Sequence, residues 1–303
     1  MAEALKRNSE ILLLYDALLT NPNGDPDDEN KPRYDYDTRR NLVSDVRLKR
    51  YLRDYWLNKG YGVYVSKEEG KAVTATKKVE DLLKDATSRE ECVQKVTETF
   101  IDVRYFGATI PLTKKIANLD SITLTGAVQF TWGYSMHPTE ILHSSSITSQ
   151  LAGRESDHGT IGKDWRIKYS LLAFYGIISA WRAKELFLTD EDVERFDVDI
   201  LKALKLMTTT RSKIGQTPRL YMRIEWNDDE TFHGDLRDLV KVEVLSQHTP
   251  ASIEDLKIDV SELGRFVHDP RVNKIKLWID EEFKAKALGT EKLEGDKVSI
   301  ITI

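Results

Sequence analysis

Only one cysteine, Cys92, occurs in 303 residues, so no disulfide can close within the chain and stability must come from burial. Its helical spacing with Val96 and Phe100 reads it as a buried thiol. Long apolar runs are also missing. A membrane helix needs about 18 nearly uncharged apolar residues, whereas the longest candidate, Tyr169–Trp181, has thirteen and includes Ser170 and Gly176. The apolar stretch after MAEALKRNSE is short and lacks a small-residue cleavage site, so the cytoplasm is the expected compartment.

Catalytic and metal signatures are equally scarce. GTIGKD at 159–164 has two residues where a phosphate loop needs four, and Asp164 stands where Ser or Thr belongs. The acidic DPDDEN at 25–30 lacks the glycine of a calcium loop, Asn30 occupying that position. His137, His143 and His158 have no cysteine or carboxylate at metal-ligand spacing. No G-x-S-x-G elbow exists. RYFGATI at 104–110 lacks the aromatic pattern with which an RNA-recognition motif stacks bases. The expectation is a non-enzyme with neither cofactor nor metal.

What is present is an ordinary globular balance, 40% hydrophobic and 31% charged residues, in a length suited to two domains or one large domain with insertions. The net charge of −5 does not by itself suggest a nucleic-acid binder, but the charge is unevenly placed. Lys31–Tyr55 holds eight basic and four acidic residues, a local +4, while Glu225–Ile303 holds eleven basic and eighteen acidic, a local −7. Phosphate responds to potential within about 10 Å at ordinary salt, so a basic face can operate on an acidic protein.

Periodicity supplies the elements. Glu10–Leu19 is apolar at both parities, as in a central strand covered on both faces. Asn41–Trp56 reads as a helix with Leu48, Tyr51, Leu52 and Tyr55 on one side and Lys49, Arg50 and Arg53 on the other. Ser88 and Glu91 cap a second helix through Cys92, Val96 and Phe100. Ile122–Trp132 alternates as a half-exposed strand, Lys168–Trp181 is a further strand candidate, Thr189 with Asp192 caps a helix, and Pro218–Trp226 is a last strand. The order strand, helix, strand, strand, helix, strand is that of a split βαβ, ferredoxin-like sheet. The predicted fold is α+β: a sheet domain over about 8–56, 100–134 and 167–226, a helical insertion at 57–99, a protruding hairpin or arm at 135–166 and an acidic extension at 227–303.

Two segments carry chemistry. NPNGDPDDENKP, residues 21–32, is too rich in proline for regular structure and leads into the basic helix. Asn21, Asn23, Gly24 and Asp25 can present backbone and amide donors, and Arg33, Lys49, Arg50 and Arg53 can supply charge to a phosphodiester. The alternative is a solvated helix face behind a turn. In TTTRSKIGQTPR, residues 208–219, Arg211, Ser212, Lys213 and Gln216 could hold phosphates, or the cations could cap a helix C-terminus.

NPNGDPDDENKPR, SDVRLKRYLRDY, DVRYFGATIP, VQFTWGYSMHP and TRSKIGQTPRL, taken together and in this order, resemble the signature segments of the CRISPR-associated backbone subunits of Cascade, within the RAMP superfamily and closest to the type I-B form. The resemblance spans Asn21–Leu220. It implies a modified ferredoxin-like, RRM-like palm with a helical insertion and a protruding thumb hairpin, several copies of which form a helical filament along one CRISPR RNA (crRNA) in a prokaryotic cytoplasm. It implies that Arg33, Ser44, Lys49, Arg50 and Arg53 grip guide phosphates and that Arg211, Ser212 and Lys213 close the other side, with Asn21, Asn23 and Gln216 beside them. Ile147, Thr148, His158, Gly159 and Trp165 are the matching thumb positions that wedge the RNA. The implied partners are crRNA, the target DNA strand, further copies of the chain, the 5′-handle-binding, large and small Cascade subunits, and a recruited helicase-nuclease. Two alternatives stand beside this reading: guided RNA cleavage of the type III kind, using Asp157 or Asp164, and nucleic-acid-binding autoregulation.

Overall fold

The computed structural model of the protein describes residues 3–66, 72–148 and 161–303. Strand β1, Ser9–Thr20, is buried on both faces through Ala17, as its two-parity apolar pattern predicts. A short strand β2, Arg40–Val43, leads into helix α1, Asp45–Asn58. The helix therefore starts four residues later than its periodicity predicts. Leu42 and Val43 instead pair with Tyr134 and Gly133, and Ser44 caps the helix by accepting from the Arg47 amide.

Helices α2, Ala72–Leu83, and α3, Arg89–Thr99, follow, then the short α4, Ile101–Phe106. The strand expected at Ile122–Trp132 is two strands. Leu119–Thr125 (β4) closes a hairpin with Gly107–Ile116 (β3), whereas Val128–Phe130 (β5) pairs with Gly176–Ile178. The break falls at Gly126, which lies so close to the Phe106 backbone that a Cβ there would stand 2.3 Å from its carbonyl oxygen.

Gly133–Ser135 (β6) precedes Ile141–Thr148 (β7), which forms an antiparallel ribbon with the first part of the longest strand, Ile161–Ile178 (β8). That strand begins before Lys168 and stops before Trp181, which lies in the helix Ala180–Leu186, α5. Helix α6, Asp190–Leu206, opens on the predicted capping box of Thr189 and Asp192, and β9, Gln216–Trp226, returns along β1. The acidic C-terminal segment then adds Val272–Ile279 (β10) and Val298–Ile300 (β11) to the same sheet. The ten-stranded sheet runs β11-β10-β9-β1-β8-β6-β2 and ends on the two-residue strand Tyr34–Asp35, with β5 and β7 also paired to β8; it is antiparallel apart from the β10–β11 pair, so the chain is mixed α+β with β1 near the middle.

Each sheet face has its own core. Ile11, Leu13, Tyr15 and Ala17 of β1 pack with α1, α3, α4 and α6, while Leu12 and Leu14 pack with the C-terminal layer around Trp226, Phe266 and Phe283. The helical side is pinned by a buried ion pair. Arg223, wholly inaccessible, donates to both Asp197 oxygens at 2.8 Å, and the Tyr221 hydroxyl donates to the same carboxylate at 2.6 Å. Removing Asp197 leaves buried Arg223 with a single carboxylate among the described residues, Glu225 at the longer distance of 3.3 Å, and breaking a buried pair in this way costs far more than the net worth of the pair. Asp197→Ala should therefore lose about 3–5 kcal/mol in urea unfolding, whereas Tyr221→Phe, which removes one hydrogen bond, should lose about 1 kcal/mol.

Candidate nucleic-acid interface

The proline-rich loop is closed by its own side chains. Asn21 donates from its backbone to the Ser212 carbonyl at 2.9 Å and from Nδ2 to the Asn30 carbonyl at 2.6 Å. Asn30 also donates to the Asp25 carbonyl at 2.8 Å. Gly24 is required at this closure, because a Cβ there would lie 2.7 Å from the Asn30 oxygen. Asn23 Oδ1 accepts from both the amide and the hydroxyl of Ser44, each at 2.8 Å. The loop is thus tied to the first turn of α1 on one side and to the 208–219 turn on the other.

The helix cations are not the exposed ridge that the helical wheel implies. Lys49 and Arg53 are each only 8% exposed. Lys49 Nζ donates to Asp45 at 2.9 Å and to Gln129 Oε1 at 3.1 Å, and Arg53 Nε donates to buried Asp102 at 2.9 Å. The Phe106 ring of α4 lies beneath both cations. The wheel separates two faces correctly, but α4 covers the second one. Arg50 pairs with Asp54 at 2.7 Å and Arg33 with Asp25 at 2.8 Å, so each of these four cations meets a carboxylate of its own chain. Ser44 serves as the cap and the loop anchor.

The cation of α1 that does face open space is Arg47, one turn along from the cap. Its guanidinium stacks on the Tyr51 ring at 4.0 Å, and its Nε has no acceptor among the described residues. Arg47 lies within the VRLKR string but outside the residues expected to bind. The signal that points to it is its i,i+4 spacing to Tyr51 together with its place three residues after Ser44.

Across from Arg47, the turn brings Lys213. Its Nζ donates to the Asn21 carbonyl, and burial, reinforced by the neighbouring Arg47 charge, pulls its pKa down to about 7. Gly215 makes the turn possible at φ +104°, where a Cβ would collide with the Leu18 carbonyl. Gln216 is buried and exchanges hydrogen bonds with the Tyr51 hydroxyl, so it supports the turn from behind and does not face the open space.

These segments enclose a cavity of about 400 Å³. Its wall is Asn21, Asn23, Gly24 and Asn30 of the loop, Arg47 of α1, Lys163, Asp164 and Trp165 at the foot of the β7–β8 ribbon, and Ser212 and Lys213 of the turn. Of the residues expected from sequence, Asn21, Asn23, Ser212, Lys213 and Trp165 meet here. Arg33, Ser44, Lys49, Arg50, Arg53, Arg211 and Gln216 do not line it. Ile147 and Thr148 lie on β7 opposite Gly162 and Ile161, while His158, Gly159 and Asp157 fall outside the described residues. His137 is a core residue: one ring nitrogen contacts the Pro138 carbonyl, the other accepts from the Leu171 amide, and burial lowers its pKa to about 4.

The cavity wall has unmet hydrogen-bonding capacity. Six buried side-chain polar atoms of the described residues lack a partner, and three of them, Asn21 Oδ1, Arg47 Nε and Trp165 Nε1, belong to residues lining this one cavity. Buried polar atoms are nearly always paired, so such a cluster marks a place for an occupant. Two of the three are donors, beside a lysine that an anion would recharge. Asp164 in the same wall is bracketed by Arg166 at 3.0 Å and Arg211 at 2.9 Å, which offsets its charge.

The two kinds of arginine should separate in experiment. Arg53→Ala leaves Asp102 without its cation and should cost about 3 kcal/mol in urea unfolding. Arg47→Ala breaks no ion pair among the described residues and should change stability by no more than about 0.5 kcal/mol.

Comparison with known proteins identifies the family. The family described as CRISPR-associated protein Cas7 matches residues 7–261. A CRISPR-associated protein Cas7 of Haloferax volcanii is 37% identical over 276 residues, covering 84% of this chain and 81% of its own. Among solved structures, a chain of a CRISPR RNA-guided surveillance complex in a pre-nicking state superposes with a TM-score of 0.53 at 12% identity, covering 90% of this chain and 93% of that one. The chain belongs to the Cas7 family of CRISPR-associated proteins.

Proposed function

We propose that this protein is a non-catalytic backbone subunit of a type I Cascade, of the I-B form, in which several copies line up on one crRNA and present its spacer for pairing with target DNA. The observation that carries the reading is the cavity between loop, helix, ribbon foot and turn, whose lining residues Arg47 and Trp165 each carry an unmatched donor and stand with Lys213 around one space. A phosphodiester supplies acceptors to both donors, and its charge favours protonation of Lys213. Such interactions ignore base identity, as a subunit serving any spacer requires, since pairing carries the sequence information.

In this reading the sheet around β1 is the RRM-like palm and the β7–β8 ribbon is the thumb. Arg47 and Lys213 are the principal guide-phosphate cations, with Trp165, Ser212, Asn21 and Asn23 around them. Lys49, Arg53, Gln216 and Ser44 contribute by holding the wall in place. The bracketing of Asp164 by two arginines is the arrangement of a structural carboxylate and favours the non-cutting reading over guided cleavage. The target strand, neighbouring copies, the handle-binding, large and small subunits and a recruited helicase-nuclease are the partners that this role entails.

Replacing Arg47 and Lys213 together, by alanine and methionine, should strip guide RNA from the purified complex. It should also reduce the slope of log affinity against log salt by about 1.4, since each phosphate of a single strand that is no longer neutralised lowers it by about 0.7. Unchanged retention and slope would refute the assignment. The amine adds a pH signature. Lys213 titrates near 7 without RNA, and a bound phosphate favours its charged form, so RNA binding takes up a proton above that pH. Affinity should therefore fall as pH rises from 7 to 9 and be nearly level below 6, and Lys213→Met should flatten the fall. Fluorescence anisotropy at constant ionic strength checks both limbs.

A further inference from the structure

The third unmatched atom of the wall is an acceptor, and a phosphate cannot satisfy it. Asn21 is 6% exposed, and its other polar atoms are all engaged: the amide nitrogen with Ser212, the carbonyl with Lys213, and Nδ2 with the Asn30 carbonyl. That last bond fixes the amide orientation, because a flipped side chain would set two oxygens against each other. Oδ1 is left with no donor among the described residues, on a residue that lines the cavity. An acceptor isolated in this way is costly until a donor arrives.

The occupant must therefore bring acceptors for Arg47 Nε and Trp165 Nε1 and one donor for Asn21. Donors on bases change with sequence. In a sugar-phosphate backbone the only donor present at every position is the ribose 2′-hydroxyl, which DNA lacks. We propose that Asn21 Oδ1 accepts a hydrogen bond from the 2′-hydroxyl of the nucleotide held in this cavity, so that the site selects ribonucleotide over deoxyribonucleotide backbone. The inference rests on the RNA-binding reading above and adds to it a sugar-discriminating residue.

The test is made on the ligand, so it needs no variant to fold. Full-length protein is titrated by fluorescence anisotropy with three oligonucleotides of one sequence: RNA, fully 2′-fluoro RNA, and DNA. The fluoro form keeps the RNA-like sugar shape and removes the donor. RNA should bind about five- to tenfold more tightly than the 2′-fluoro strand, with DNA no tighter than the fluoro strand. Asn21→Leu, of similar size, should erase the difference between RNA and 2′-fluoro RNA, provided its unfolding transition stays cooperative. Equal affinities for RNA and 2′-fluoro RNA in the unaltered protein would overturn the proposal. If Arg47→Ala still weakened both, the phosphate reading would survive that failure. No measurable RNA binding at all would overturn both.

Discussion

Covering β1 on both faces is the constraint from which the rest of the architecture follows. A strand apolar at both parities cannot lie at an edge or against water, and here β8 and β9 flank it while a helical layer closes one face and the C-terminal segment the other. Both flanking strands run antiparallel to it. The end of β1 at Thr20 therefore coincides with the start of β9 and lies beside the ribbon foot of β8. Loop, turn and ribbon foot converge there because of strand pairing, and the capped start of α1 is drawn in by the Asn23–Ser44 bonds.

Charge is distributed by the same logic. The chain spends most basic residues near this end on its own carboxylates: Arg33 on Asp25, Lys49 on Asp45, Arg50 on Asp54, Arg53 on Asp102 and Arg211 on Asp164. Paired cations orient loops and helices but offer little field to a ligand. The residual demand is concentrated in Arg47, stacked on Tyr51, and in Lys213, whose amine burial holds near the point of losing its proton.

Much of this is legible in the sequence, and the failures have identifiable causes. The two-parity pattern of Glu10–Leu19, the Thr189–Asp192 box and the α+β class can be read correctly because each signal is local. The start of α1 cannot, because Leu42 and Val43 take partners some ninety residues downstream, which no local window contains. Lys49 and Arg53 look solvent-facing on a helical wheel, which cannot know that Asp102 and Phe106 return to cover them. Four residues of the cavity wall, Asn21, Asn23, Ser212 and Lys213, are foreseeable as residue types that suit phosphate, and Trp165 follows only from the resemblance, as a thumb position. Arg47 escapes notice, since what distinguishes it is the lack of a pairing carboxylate among the described residues. The C-terminal segment reads only as an extension on the sheet, although Val272–Ile279 completes the second core.

The hydrogen bonds joining Asn21 to Ser212 and Lys213 tie together points 191 and 192 residues apart in the chain. A polypeptide still emerging from the ribosome has its loop and first helix long before it has the turn that completes the wall. A chain that stops short of residue 213 consequently lacks the far wall of the chamber, so the order of synthesis leaves this end of the molecule open until two thirds of the polypeptide has been made.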